Sequence, residues 1–545
     1  MSRLPRPRIL RPLPRAVTRP LSAVVLVAWV ATMGVMVNRT YLQASPTNLA
    51  TDLARYGTTA QWRGVYYRGE KIGFTVSQVE RTDDGFDLLE DGRLQFSLLG
   101  ATTAAILRTS AHVDQTFALK TFEFSLDPGT GPLTVRGRLD GLRLSLDIIT
   151  ASGTRSETRD LDAPPALMLT LGRRLASDGF VAGSRREWMV FDPATLKNAP
   201  VRLAIGEREV VAAGGRPIPA FRVDMTFSGL TTTAWITDTG EIVREESPMG
   251  LISVRETQEQ ATVMAVSTVM QQDMLAASAV VPTMGPRIYI TEPRDVTRLR
   301  MRVDNADLSS VDLQGVGQTV TGNIIELVDT RRLVAGPADA DLDRYLKPEP
   351  FIESDAPEIR AEAERMVRGI TGVRAQAERL TREVNQLVEK KPTVSLPSAL
   401  EVLRTKVGDC NEHTVLFVAL ARSLGIPARI NVGLVYVRGA FYYHAWPEVY
   451  VAEGESRGLW LPVDPTFNQF PADATHVRLA RGGLDKQTAI LPLVGRVKMT
   501  VLAVDVTPGS TPVLVGRQAS DAGALDIPMP RRQDRGCWVP CPGSR

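Results

Sequence analysis

The residues best suited to chemistry in this chain are Cys410, His444 and Asp464. Gly408-Asp409-Cys410-Asn411-Glu412-His413 leads straight into an apolar segment, residues 414–424, which stops at Gly425-Ile426-Pro427. Asp409 and Glu412 have the spacing of a capping box, which puts Cys410 at the first helical position. Gly408 is expected to close the preceding helix in the left-handed conformation that glycine adopts easily. Free amides and the helix dipole at such a position favour a thiolate, the nucleophilic form of cysteine. His444, in Tyr443-His444-Ala445-Trp446, lies on a strand-like run, residues 441–451, beyond a turn at Val437-Arg438-Gly439-Ala440. Tyr442, His444, Trp446 and Glu448 then share one strand face. Pro447 argues for an edge position or a bulge beside the site. Asp464, in Val463-Asp464-Pro465-Thr466, ends the next strand and can accept from the second imidazole nitrogen, fixing its tautomer. In that order the three residues suit nucleophilic acyl transfer.

Taken singly, each has a plainer reading. A lone buried cysteine is usually a small hydrophobe, and a lone strand histidine is usually a satisfied core group. The combination is what carries weight. His413, three residues after Cys410 on the same helix, is the rival base, although it would need its own orienting carboxylate. His112 and His476 have no such company and read as structural.

Helices must support this site from upstream. One is expected from Asp355, whose spacing to Glu358 gives a capping box with Pro357 in the first turn, to about Gly369. A second covers residues 373–389, and a third covers 397–405 with Ser398 and Glu401 at capping-box spacing. The helix after Cys410 is apolar all round (Val415, Leu416, Phe417, Val418, Leu420, Leu424), as a central helix would be.

With these motifs in place, residues of about 360–500 resemble the bacterial transglutaminase-like superfamily, whose fold is similar to that of papain-type cysteine proteases. The resemblance is carried by Gly408-Asp409-Cys410, by Leu420-Ala421-Arg422-Ser423-Leu424-Gly425-Ile426-Pro427-Ala428-Arg429, by His444-Ala445-Trp446-Pro447-Glu448-Val449 and by Val463-Asp464-Pro465-Thr466. It implies Cys410 as nucleophile, His444 as general base and acid, and Asp464 as the orienting acid. A carboxamide would be attacked to give a thioester, which an amine or water then resolves. Members often carry a tryptophan in the helix before the cysteine block. Residues 384–388 offer none, which leaves the backbone amide of Cys410 as the first oxyanion donor. No calcium loop or other metal constellation is visible, so neither cofactor nor metal is expected.

Composition bounds the rest. At 545 residues, 43% hydrophobic and 23% charged, the chain should form two or three globular domains. The net charge of +3 is unevenly placed: Arg3, Arg6, Arg8, Arg11, Arg15 and Arg19 precede any acid, leaving the body slightly negative. Such a body gives no reason to expect nucleic-acid binding. Residues 21–37 form an uncharged run that, as a helix, would span roughly 25 Å. With arginines before it, the run reads as a transmembrane signal anchor after a basic cytoplasmic tail (1–20), or alternatively as a cleaved signal peptide. Either reading puts a bacterial single-pass protein at the inner membrane or sends its body beyond it, into the periplasm. Cys537 and Cys541 lack redox or zinc spacing and fit a local disulfide in an oxidising space.

The expected class is α+β. Residues 38–60 form a linker, and 61–270 a β-rich antiparallel domain curled into a half-barrel, with a helix at 166–177 packed on it. Residues 283–350 form a small β region with strands at 287–291, 299–303 and 323–327, packing on a neighbour. Residues 353–505 are the transglutaminase-like domain, and 506–545 a disordered tail. The β-rich part loosely resembles lipoprotein-carrier half-barrels of bacterial envelopes, which implies a concave apolar face able to hold a lipid or peptide. The alternative is a β-domain that spaces the C-terminal domain from the membrane. Two functions follow: an envelope cysteine enzyme acting on protein or peptide carboxamides, or a non-catalytic envelope binding module.

Overall fold

The computed structural model describes residues 56–508 apart from residues 99–100, 129–131, 151, 249, 264–278, 287, 307, 309–312, 392–397, 483–489, 491–492 and 494–495. The tail at 1–20, the run at 21–37, most of the linker, Cys537 and Cys541 lie outside the described residues. Among the described residues no helix is long and apolar enough to cross a membrane.

From Gln61 the chain alternates apolar and polar residues, the period that leaves a strand half-buried, and the result is one antiparallel 14-stranded sheet. Strand β1 (Gln61–Tyr67) pairs with the last strand, β14 (Leu251–Glu256), at its centre, with Trp62 opposite Glu256. One meander runs outward from β1 to β8 (Gly153–Asp160), and the other runs from β14 back to β9 (Arg185–Asp192). The two free edges are therefore consecutive in sequence. The segment joining them carries helix α1 (Met168–Asp178), and this half-barrel agrees with the expected class.

Helix α1 closes the core of the sheet. Leu171 and Leu175 pack with Val201, Leu203, Val223, Met225 and Ile236. Leu167, just before the helix, joins Leu88, Phe122, Leu144 and Phe191. The approach is close: a Cβ on Gly172 would lie 2.6 Å from the carbonyl oxygen of Gly240.

The second core begins near Val280 and runs to Val501 without a break. A five-stranded sheet orders β15 (Thr283–Met284), β26 (Lys498–Val506), β16 (Val296–Asp304), β18 (Ile324–Val328) and β17 (Gln318–Thr321). The small β region is thus completed by a strand from the far end of the chain. Residues 288–291, expected as strand, are not strand; the chain pairs at Thr283–Met284 instead.

The second five-stranded sheet orders β19 (Gly336–Pro337), β24 (Arg457–Pro462), β23 (Ala440–Ala452), β22 (Ala428–Val437) and β25 (His476–Arg481). Against it pack α2 (Pro357–Met366), α3 (Val373–Leu387), α4 (Ala399–Thr405) and α5 (Cys410–Ser423). The expected capping box at Asp355 does not form. Ala356 is the N-cap, without a side-chain bond, and Pro357 at the first position supplies the start. Helix α5 is buried on every side, with Leu416, Phe417, Val418, Ala419, Leu420 and Ala421 fully enclosed. Its first turn is therefore held as firmly as the core itself.

The Gly172–Gly240 contact predicts that Gly172→Val forces α1 off the sheet. Overpacking of this kind costs about 1–3 kcal/mol, which calorimetry should detect as a lower-melting half-barrel transition.

Candidate active site

Helix α5 starts as its sequence requires. The Asp409 carboxylate accepts from the Asn411 amide at 2.9 Å and also from that of Glu412, whose own carboxylate accepts from the Asp409 amide at 2.8 Å. Gly408 has a different role from the one expected. The left-handed residue that ends α4 is Lys406 (φ 56°), and Gly408 has no positive φ. A Cβ on Gly408 would lie 2.2 Å from Cβ of Glu412, so glycine is required there by the close approach of the capping carboxylate. The cap occupies the amides of Asn411 and Glu412 and leaves that of Cys410, the first of the helix, for another acceptor.

Strand β23 receives this helix where its own partner ends. Strand β24 pairs as far as Pro462 opposite Glu448, and the Val463 amide donates to the Pro447 carbonyl at 2.9 Å. Pro447 lacks an N–H on that side, so it lies inside the sheet at the point where β24 departs. Two residues earlier, Ala445 points its backbone groups to the vacated edge. Its N–H donates to the Cys410 sulfur, and its carbonyl accepts from Thr414 Oγ1 at 3.0 Å. The cysteine is thereby docked beside the residue that follows His444.

Cys410 is half-buried as a residue, but its sulfur is desolvated. That desolvation, then the carboxylates of Asp409, Glu412 and Asp464, push the thiol well above its ordinary range, and the Ala445 amide only partly opposes them. The expectation of a resting thiolate is thus corrected. Helix position favours the anion, but three nearby carboxylates and burial outweigh it.

His444 and Asp464 are brought together. His444 Nε2 lies 2.8 Å from Asp464 Oδ2, with both side chains buried. Oδ1 of Asp464 accepts from the amides of Thr466 at 2.7 Å and Phe467 at 3.0 Å. Phe467 and Trp446 flank the imidazole with ring centroids at 5.1 and 6.0 Å. Asn385 of α3 occupies the region where a tryptophan is often found. Its Nδ2 donates to the carbonyls of Pro465 and Thr466 at 2.8 and 3.0 Å, so it holds the aspartate loop in place.

His413 does not join this group. Its Nδ1 bonds the Asp409 carbonyl at 2.6 Å, and burial, opposed by that bond, lowers it to about 4, which keeps it neutral. His112 lies in the half-barrel between Asp84 and Asp87.

His476 is the residue the sequence reading missed. Its Nε2 lies 3.0 Å from the same Asp464 Oδ2, and its Nδ1 lies 3.2 Å from Oδ1 of Asp473. Burial disfavours its charge, but Asp473 and Asp464 outweigh it and raise His476 to about 10. Burial likewise works against ionised Asp464, yet His444 and His476 hold it far below the usual carboxylate range. The available signal was Asp473, three residues before His476 and on the same approach to β25. His444, Asp464 and His476 also offer three potential metal-ligand atoms within 4.8 Å of one another. Here those atoms are committed to each other as hydrogen-bond partners.

Glu448 anchors β23 four residues beyond His444. Its carboxylate meets Arg429 at 2.8 Å, with Arg478 at 3.6 Å and Arg481 at 3.8 Å. Burial would raise Glu448, but the three guanidiniums hold it below its ordinary value.

Residues 360–465 match the transglutaminase-like superfamily, as the motifs led us to expect. No curated protein matches the chain. Among solved structures it is similar to a protein of Cytophaga hutchinsonii described as a candidate cysteine protease (17% identity, 39% of this chain and 86% of that one, TM-score 0.25). It is also similar to a β-barrel-like DUF1849 protein of Brucella abortus (10% identity, 36% and 95%, TM-score 0.29). A third likeness is to the periplasmic domain of TgpA from Pseudomonas aeruginosa bound to ethylmercury (18% identity, 34% and 74%, TM-score 0.22). All three scores lie below 0.5, so the likeness of residues 360–465 to this superfamily rests on the sequence match.

The buried charges predict how stability varies with pH. Asp473 is lowered to about 2: burial alone would raise it, and His476 and Thr475 outweigh that. Its contribution is complete above the unfolded carboxylate value and lost as pH falls through 2. His476, raised to about 10, contributes fully below its unfolded value and loses that contribution as pH rises through 10. Denaturant midpoints for the C-terminal core should therefore peak between about pH 4 and 6.5. His476→Gln should flatten the alkaline decline.

Proposed function

We propose that this protein is a membrane-anchored envelope cysteine enzyme. It acts on protein or peptide carboxamides by acyl transfer or hydrolysis, through Cys410, His444 and Asp464. The observation that carries the reading is the docking of Cys410, at the first position of a buried helix, against the backbone of Ala445, the residue after a histidine whose Nε2 is bonded to a buried carboxylate. In that bond the Nε2–H donates to the Asp464 carboxylate, which leaves Nδ1 as the basic atom.

Burial and the nearby carboxylates raise the Cys410 thiol, which supports deprotonation in step with attack. His444 takes the Cys410 proton as the sulfur bonds the carboxamide carbon. The developing oxyanion is received by the Cys410 amide left free by the cap. His444 then returns the proton to the departing nitrogen, ammonia or an amine leaves, and a thioester remains. An amine gives a cross-link, whereas water gives deamidation or peptide cleavage. The motif set suits either, and exclusion of water from the closed site decides between them.

The arginines before residue 21 and the uncharged run after them support an inner-membrane anchor with the body in the periplasm. The half-barrel would present a lipid or peptide, or act as a spacer. The nearly neutral body supports protein or peptide partners over nucleic acid. A second reading, a non-catalytic envelope binding module, draws on the raised Cys410 thiol.

Iodoacetamide labelling of the full chain across pH separates the two. The enzyme reading expects Cys410 alkylation near neutral pH to depend on proton removal by His444 rather than on a resting thiolate. His444→Ala should slow labelling at pH 7 about 100-fold or more, and Cys410→Ala should abolish it. An ordinary thiol profile, indifferent to His444→Ala, would give the binding module the lead.

A further inference from the structure

We propose that His476 is a positioning residue of this site: a doubly protonated imidazolium that bridges Asp464 to Asp473 and sets the orientation and charge of the carboxylate received by His444. The inference rests on the reading of Cys410, His444 and Asp464 as catalytic, and extends it.

The geometry requires the charge. Nε2 of His476 faces the Asp464 carboxylate at 3.0 Å, and Nδ1 faces two acceptors of Asp473, its carboxylate Oδ1 and its backbone carbonyl oxygen, each at 3.2 Å. Ionised carboxylates only accept, and a neutral imidazole has a single N–H. A neutral ring would leave one lone pair facing an anion inside the protein, which is costly. Two N–H groups satisfy both partners.

Among the described residues no arginine or lysine bonds the ring. The other groups facing His476 are the ring of His444, at a centroid distance of 5.9 Å, and the edge of Trp446, at 5.2 Å. A small cavity beside them is also lined by Glu448, Arg478, Thr330 and Asp473. Arg478 is spent on Glu448 and on the carbonyls of Leu313 and Gln314. Arg331 acts on Asp473 only through the field, and its hydrogen bonds go to Asp329.

Two consequences follow for Asp464. With Oδ2 shared by two imidazoles and Oδ1 by two amides, the carboxylate cannot rotate without losing a bond, so His444 is always offered the same oxygen. The His476 cation also offsets part of the anion's field at His444.

The chain contains only four histidines, so the test can be read directly. Histidine labelled with 13C and 15N in the full chain, purified in mild detergent, gives four ring signals assignable with single His→Gln variants. The His476 signals should report both nitrogens protonated at pH 8. A neutral ring there would overturn the proposal. In His476→Gln, which keeps a donor toward Asp464 but loses the cation, the His444 titration midpoint should rise by about one pH unit. Asp473→Asn should move it in the same direction by less. A His444 midpoint unmoved in a folded His476→Gln chain would overturn the proposal, while the charge measurement on the unsubstituted chain holds even if that variant fails to fold. Alkylation of Cys410 in the unsubstituted chain reports separately on the catalytic reading. If labelling there is indifferent to His444→Ala, that reading fails and takes the positioning role with it. If labelling is activated but the His444 midpoint does not move, this inference alone fails.

Discussion

A carboxylate buried away from water is tolerated only when its lone pairs are filled, and Asp464 shows what that constraint builds. It is fully enclosed, and four donors from three places converge on it: His444 on β23, His476 on β25, and the adjacent amides of Thr466 and Phe467. Asn385 of α3 holds the same loop from the other side. Removing any one donor leaves a buried charge short of a partner, a loss of several kcal/mol by the usual scale for buried pairs (about 3–5). The sheet register, the loop after β24 and the helix packing are all tied to this one group.

Cys410 is placed by a second constraint, the end of a strand pairing. Strand β24 stops opposite Glu448, and Pro447 cannot donate on that side, so the Ala445 backbone groups become free to receive the first turn of α5. Helix burial makes that turn rigid, and Gly408 allows the capping carboxylate to close over it. Rigidity carries a cost in reactivity, since the same carboxylates and burial that hold Cys410 also suppress its thiolate. Under the proposed mechanism, His444 as base answers that cost.

Much of this was legible in local sequence. Capping spacing located Cys410, strand alternation placed His444 with Trp446 and Glu448 on one face, and the end of the next strand gave Asp464. What escaped was non-local. His476 meets Asp464 because β25 pairs with β22, putting Arg478 opposite Gly433, a register that no local pattern encodes. Strand β26 completes the small sheet from about 200 residues away, because edge strands accept any partner of suitable register. Gly408 was misread because glycine serves φ or proximity equally well, and only the position of Glu412 distinguishes them. The half-barrel was readable as a class, since alternation and turn residues repeat along it. The pairing of its first strand with its last was not.

The most direct test of the central claim is covalent capture. The full chain would be incubated with glutamine-containing peptides, quenched in acid and digested, and the Cys410 peptide examined by mass spectrometry. The account predicts an acyl adduct on Cys410 equal to the substrate less ammonia or the departing amine, absent from His444→Ala. A Cys410 peptide that stays unmodified with every carboxamide offered, while the protein binds the same peptides, would contradict it.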